Sequence, residues 1–263
     1  MNKHNFTTVR LSCGEVHIYD FGGVKLHACQ TGDPLADEVF LWEKDGQFVV
    51  LEPPCFTDSI AALSGYLAGK TVAGVLVAYH GAGASFLPGV PKYSTANAVD
   101  YVQSGGGKAL IDQFTAAFGT AFDSSIHPIS HILSEGPVTI GGMEFVIRPT
   151  ADAFDVEIPE TNAIYTHMLG HDCHSIVAGA DHADAMIAQL KTCIQAGYSL
   201  ILTSHYTPED LIDAQTKIEY LEQLKAIAAN CRDGKTFRAQ VRERYPAYSG
   251  ENYLDMTAGF FFP

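Results

Sequence analysis

The stretch Val75-Leu-Val-Ala-Tyr-His80-Gly-Ala-Gly-Ala-Ser85 constrains this chain more than any other. A short apolar run that ends at a polar residue reads as a buried strand, covered on both faces. That strand carries His80 to the rim of a sheet, where loops build sites. After the histidine come only small residues, where a metal site would want more ligands.

The chain has 263 residues, enough to bury a substantial core. Hydrophobic residues make up 47% and charged residues 17%, the balance of a folded globular protein. A formal net charge of −14 repels phosphate backbones, so no nucleic-acid partner is expected. The N-terminus lacks the apolar core of a secretory signal. No window approaches the roughly 18 to 20 apolar residues of a membrane helix, so no membrane partner is expected. A cytoplasmic location follows as an expectation. Cys13, Cys29, Cys55, Cys173, Cys193 and Cys231 form no Cys-x-x-Cys pair and are expected to be free thiols.

Strand-like runs open the chain at 14–20, 24–28, 38–43 and 48–51, and alternation in the first three fits an antiparallel sheet with one covered face. Helical periodicity covers 58–67, and a buried strand over 72–78 leads to His80. An edge strand is expected after the turn at Pro88. Two helices are expected at 95–102 and 109–118, around a flexible glycine break at 104–107 that lacks the ending of a phosphate loop. The second half repeats the outline: a hairpin over 138–148, strands at 154–158 and 162–166, a helix over 181–196, a buried strand over 199–203 and a long C-terminal helix over 208–229. Two pseudo-repeated halves, about 1–135 and 136–263, suggest an α/β (α+β) fold: a four-layer αββα sandwich of two mixed sheets with helices outside. No linker divides them, so residues 1–263 are read as one domain. The apolar tail Thr257-Ala-Gly-Phe-Phe-Phe-Pro263 either docks on its own domain or covers a second copy in a homodimer.

In element order and motif position, residues 15 to 225 resemble the metallo-β-lactamase superfamily. In that family a strand delivers a His-x-His-x-Asp-His metal motif. His80 keeps its first position, while Ala82, Ala84 and Ser85 stand where the second histidine, the aspartate and the last histidine belong. Phe48-Val-Val-Leu-Glu-Pro-Pro54 sits where the family has a strand ending in an acidic residue that buttresses the metal loop, which implies that role for Glu52. The family's isolated histidine should fall within Arg148-Pro-Thr-Ala-Asp152, and none is there. His167 takes the place of the bridging aspartate, and Leu200-Ile-Leu-Thr-Ser-His205 is similar to the last ligand histidine at a strand end.

The resemblance therefore implies a metal set reduced to His80, His167 and His205. Three imidazoles can hold zinc or another divalent metal tetrahedrally with a water in the fourth position, so one ion at most is expected. Two closely spaced ions would need a bridging carboxylate and further ligands. In the family these three positions ring one pocket without all pointing at one metal atom. If the chain is catalytic, the reaction is hydrolysis of a small molecule, with His80 central and Asp172 or Glu52 orienting ligands or shuttling a proton. The alternative is a non-catalytic protein whose former active-site cleft holds a small molecule without metal.

Gly170-His-Asp-Cys-His174 is the densest cluster of ligand-type residues. His171 and His174 with Asp172 and Cys173 could bind a transition metal. Equally, Asp172 could be a cap and the histidines solvent-facing. Ser85 lacks the Gly-x-Ser-x-Gly elbow and an assigned base, so it is a pocket candidate rather than a nucleophile. Tyr79, beside His80, is another. Thr203 and Ser204 could cap the helix after Pro208. Pro128 between His127 and His131 argues against a helical ligand pair, leaving both as loop residues.

Overall fold

The computed structural model describes residues 3–167 and 170–263. The chain gathers into two compact units, one of residues 1–167 with 202–208 and one of residues 168–201 with 209–263.

The first unit begins as an antiparallel meander of β1 (Thr7–Arg10), β2 (Glu15–Asp20), β3 (Val24–Gln30), β4 (Glu38–Lys44) and β5 (Gln47–Leu51). After α1 (Thr57–Tyr66) the strands turn parallel: β6 (Thr71–Leu76) pairs with β5, and β7 (Lys92–Thr95) pairs with β6. Helices α2 (Ala96–Ser104) and α3 (Gly106–Phe118) precede β8 (His131–Leu133), which completes an eight-stranded sheet in sequence order. The strand expected at an edge is thus interior, because Tyr93 to Thr95 pair with His131 to Leu133 on its outer side. A three-residue partner carries too weak a pattern to be seen in the sequence. The expected glycine break is also tighter. Only Gly105 joins the helices, while Gly106 and Gly107 open α3 against the Tyr101 ring.

A second sheet holds β9 (Gly136–Ile140), β10 (Met143–Pro149), β11 (Phe154–Ile158) and β12 (Ala163–Thr166), antiparallel in succession. The expected hairpin is present, turned by Gly141 and Gly142, both at positive φ. Gly74 leaves room for its neighbours: a Cβ there would lie 2.7 Å from the Tyr93 ring of the same sheet and 3.0 Å from Ile140 of the second sheet. Val16, Val39, Leu41, Val50, Val75 and Phe86 form a core with Ile60 and Leu63 of α1. Each such side chain contributes about 1.5–3 kcal/mol on burial.

The second unit contains α4 (Ala180–Ala196), the start of β13 (Leu200–Thr203), α5 (Leu211–Asn230), α6 (Gly234–Arg244) and α7 (Glu251–Phe261). β13 closes the five-stranded sheet beside β12. Helix α5 starts later than expected, because Asp210 caps it and forms a capping box with Asp213. Thr203 and Ser204 therefore cap nothing there. Two further helices follow, and the apolar tail belongs to α7, where Phe261 and Phe262 pack on Phe237 with ring centroids 5.7 and 5.6 Å away.

The architecture is the expected mixed αββα class, with mixed sheets of eight and five strands and seven α-helices among the described residues. No helix among them is long and apolar enough to cross a membrane. All six cysteines are free thiols.

Candidate metal centre

Strand β5 ends at Leu51, and the next residue, Glu52, turns with φ +59. That conformation is uncommon for a side chain of this size and is held by its contacts. The carboxylate is fully buried. It accepts the Tyr79 N–H at 2.7 Å on Oε1 and the His80 N–H at 2.9 Å on Oε2. Tyr165, at the centre of β12, donates its hydroxyl to Oε1 at 2.5 Å. Since that uses its only proton, the Ser204 hydroxyl 2.5 Å away donates to Tyr165. Glu52 thus fixes the backbone that presents His80.

His167 follows β12 and His205 follows β13. With His80 they form a near-equilateral cluster, the ring centroids 5.4 to 5.6 Å apart. One nitrogen from each lies within 4.8 Å of the other two. Tyr79 stacks on His167 at 4.3 Å and hydrogen-bonds Thr150 at 2.8 Å, in the segment where no histidine stands. His205 Nδ1 lies 3.0 Å from the Leu35 carbonyl, which can only accept. Nδ1 therefore carries the proton, and in the neutral ring Nε2 keeps its lone pair, the arrangement a metal-ligating histidine needs. Burial of the His80 ring opposes its charge, but the carboxylates of Asp37, Glu52 and Asp33 outweigh that and hold its pKa above the ordinary value. Desolvation of the His167 ring, reinforced by His205 and His80, pushes that imidazole well below it, although an outer part of the residue reaches solvent. His80 Nδ1 is buried and makes no hydrogen bond. Three convergent imidazoles, one with its tautomer set and one with an orphaned nitrogen, fit a single divalent cation.

The residues after His80 are committed to structure. Ala82 bridges Ile126, and the Ala84 N–H donates to Ser125 at 3.1 Å. Ser85 donates its hydroxyl to Asp123 at 2.6 Å and its N–H to the same oxygen at 3.0 Å.

The 170–174 cluster lies in the second unit and does not form a metal group. The two groups able to hold an ion among the described residues exclude it. His171 sits between carboxylates, Nδ1 3.0 Å from Glu209 and Nε2 3.3 Å from Asp213. The hydrogen bond to Glu209, outweighing partial burial, raises its pKa. Asp172 is exposed. His174, left open as solvent-facing, is fully buried, with Nδ1 3.1 Å from the Tyr220 hydroxyl. The buried Lys217 amine donates to the carbonyls of Gly170 and Cys173 at 2.8 and 2.9 Å and fixes this loop.

The sequence does not mark Asp37, Cys55 or Tyr165 as site residues, and offers Ser204 only as a helix cap. Asp37 precedes β4 by one residue and bridges His205 in the backbone. It is 2% exposed, with Oδ1 3.1 Å from His205 Nδ1. The only sequence signal for it was its place at a strand entry, which any turn aspartate shares.

The sequence matches no protein-family profile, and no curated protein sequence matches it. Solved structures do resemble it. A metallo-beta-lactamase family protein from Thermus thermophilus has TM-score 0.60 and 14% identity, over 88% of this chain and 91% of that one. The stereoselective inverting sec-alkylsulfatase from Pseudomonas sp. also has TM-score 0.60 and 14% identity, over 89% of this chain. The chain spans about half of that enzyme, 48% of its length. A metallo beta lactamase from Erythrobacter litoralis has TM-score 0.54 and 15% identity, over 82% of this chain and all of that one. The element order, the two sheets and these likenesses agree: the chain has the metallo-β-lactamase fold.

Proposed function

We propose that the chain is a metal-dependent hydrolase of small molecules, with an altered site that holds at most one divalent ion, zinc foremost. The convergence of His80, His167 and His205 within 4.8 Å carries this reading. When bound, such an ion acts as a Lewis acid and lowers the pKa of a water. His205 offers Nε2 because Leu35 fixes its proton on Nδ1. The stack of Tyr79 holds the His167 ring. Glu52 is a positioning residue, since both carboxylate oxygens are engaged by the His80 loop and Tyr165.

Metal content of untagged protein tests this. Stoichiometric metal that disappears in His80→Ala and is held more weakly in His205→Ala is expected. Absence of metal at every supplied concentration overturns it and leaves the second reading, a small-molecule-binding protein without metal. The hydrogen bonds that commit Ala84 and Ser85 to Ser125 and Asp123 favour that second reading.

A further inference from the structure

His80 belongs to two groups of donors. Besides the histidine triad, Asp37, Cys55 and His80 each offer one ligand atom, all within 4.8 Å of one another. Neither Asp37 nor Cys55 stands at a position by which the sequence resembles the metallo-β-lactamases.

We infer that Asp37, Cys55 and His80 form a site for a thiophilic divalent cation, an alternative seat for the one ion that shares His80 with the histidine triad. The inference rests on this region being a metal centre but not on its being hydrolytic.

Two buried atoms there lack hydrogen bonds, Asp37 Oδ1 and His80 Nδ1. The donor nearest Oδ1, His205 Nδ1, turns its proton to the Leu35 carbonyl. No lysine or arginine pairs with Asp37 among the described residues; only the imidazoles of His80 and His205 offset its charge. A buried carboxylate oxygen without a hydrogen bond offers a ready ligand atom to a cation between it and the imidazoles. Cys55, 5% exposed, makes only weak contacts, Sγ lying 3.6 Å from the Ala82 carbonyl and 3.9 Å from that of Pro53. Burial, with the Asp37 and Glu52 carboxylates, pushes this thiol well up, so it is protonated in the absence of an ion. Ligation replaces the S–H bond by a sulfur–metal bond, and the proton leaves to solvent. Sulfur, nitrogen and carboxylate together suit zinc or cobalt and not magnesium or calcium, which take oxygen ligands.

X-ray absorption of the zinc-loaded wild-type chain tests the inference without mutation. One sulfur scatterer at about 2.3 Å is expected; a shell of nitrogen and oxygen alone overturns it. Cobalt(II) titration of the metal-free chain identifies the sulfur. Wild type and His167→Ala should show a near-ultraviolet thiolate-to-cobalt band that both Cys55→Ser and Cys55→Ala lose. A band that survives in folded Cys55 variants overturns the assignment. Hydrolysis dependent on the triad with no sulfur shell sinks this inference alone. A sulfur shell without hydrolysis sinks the hydrolase reading alone.

Discussion

The Tyr165 hydroxyl donates to Glu52 Oε1 at 2.5 Å, linking the second sheet to the turn that presents His80. The two residues lie 113 positions apart. Tyr165 also receives the Ser204 hydroxyl, so the segments bearing Glu52, His167 and His205 meet at one phenol. Burial first, and then the Glu52 charge, drives the Tyr165 pKa well above its ordinary value, which keeps the donor proton in place.

Tyr165→Phe removes that donor while Glu52 keeps both backbone N–H bonds. The loss of a buried bond to a charged group should lower stability by about 1.5–3 kcal/mol. Weakened orientation of the histidines should lower metal affinity by about 10- to 100-fold. Denaturant unfolding and a zinc competition titration read the two effects. Unchanged affinity in a destabilised variant would reduce the network to a structural one.

Gly83→Ala should be strongly destabilising. Gly83 has φ +86, and a Cβ there would sit 2.2 Å from the Pro54 carbonyl oxygen, a backbone atom that cannot swing away. Left-handed backbone alone costs a residue with a Cβ roughly 1–2 kcal/mol, and the clash adds to it. A melting temperature within a degree or two of wild type would refute this account of the small residues after His80.

Those residues show what the sequence could and could not disclose. The buried strand and His80 were legible because an apolar run with a polar end has one good structural solution. So was the hairpin at Gly141-Gly142, whereas the meeting of His167 and His205 with His80 is implied only by the resemblance to the metallo-β-lactamases. What failed was long-range or shared by many turns. Asp37 and Cys55 lie next to His80 only through tertiary structure, and neither carries a local pattern. His174 looked like a loop residue, yet its burial depends on Tyr220 and Tyr248, far along the chain. The role of Gly81 and Gly83 also had to wait for their neighbours, the Val102 side chain and the Pro54 carbonyl.

Phe237→Ala should loosen the C-terminal helix. Phe237 is fully buried and packs on Phe261 and Phe262, so truncation removes the anchor between α6 and α7. The expected cost is about 3–5 kcal/mol. Amide exchange should accelerate over residues 251–261 more than in α4. Uniform acceleration through the second unit would show that the tail is not a separate local element.

His127 gives the first unit an acid-sensitive point. It is 3% exposed beside a cavity of about 10 Å³. Burial, then the Lys92 charge, lowers its pKa to about 4 against the partial opposition of Asp123 and a hydrogen bond with the Ala82 backbone. The unfolded residue titrates near 6.5. Between pH 6.5 and about 4 the unfolded chain therefore holds the extra proton, and stability falls as pH falls through that window. Below it both states are protonated and this residue adds no further loss. The full effect is on the order of 3 kcal/mol. His127→Leu removes the titration, so the stability gap between wild type and variant should shift against wild type from pH 7 to pH 4.5. Denaturant midpoints for the two proteins that stay parallel over that range would exclude His127 as the cause.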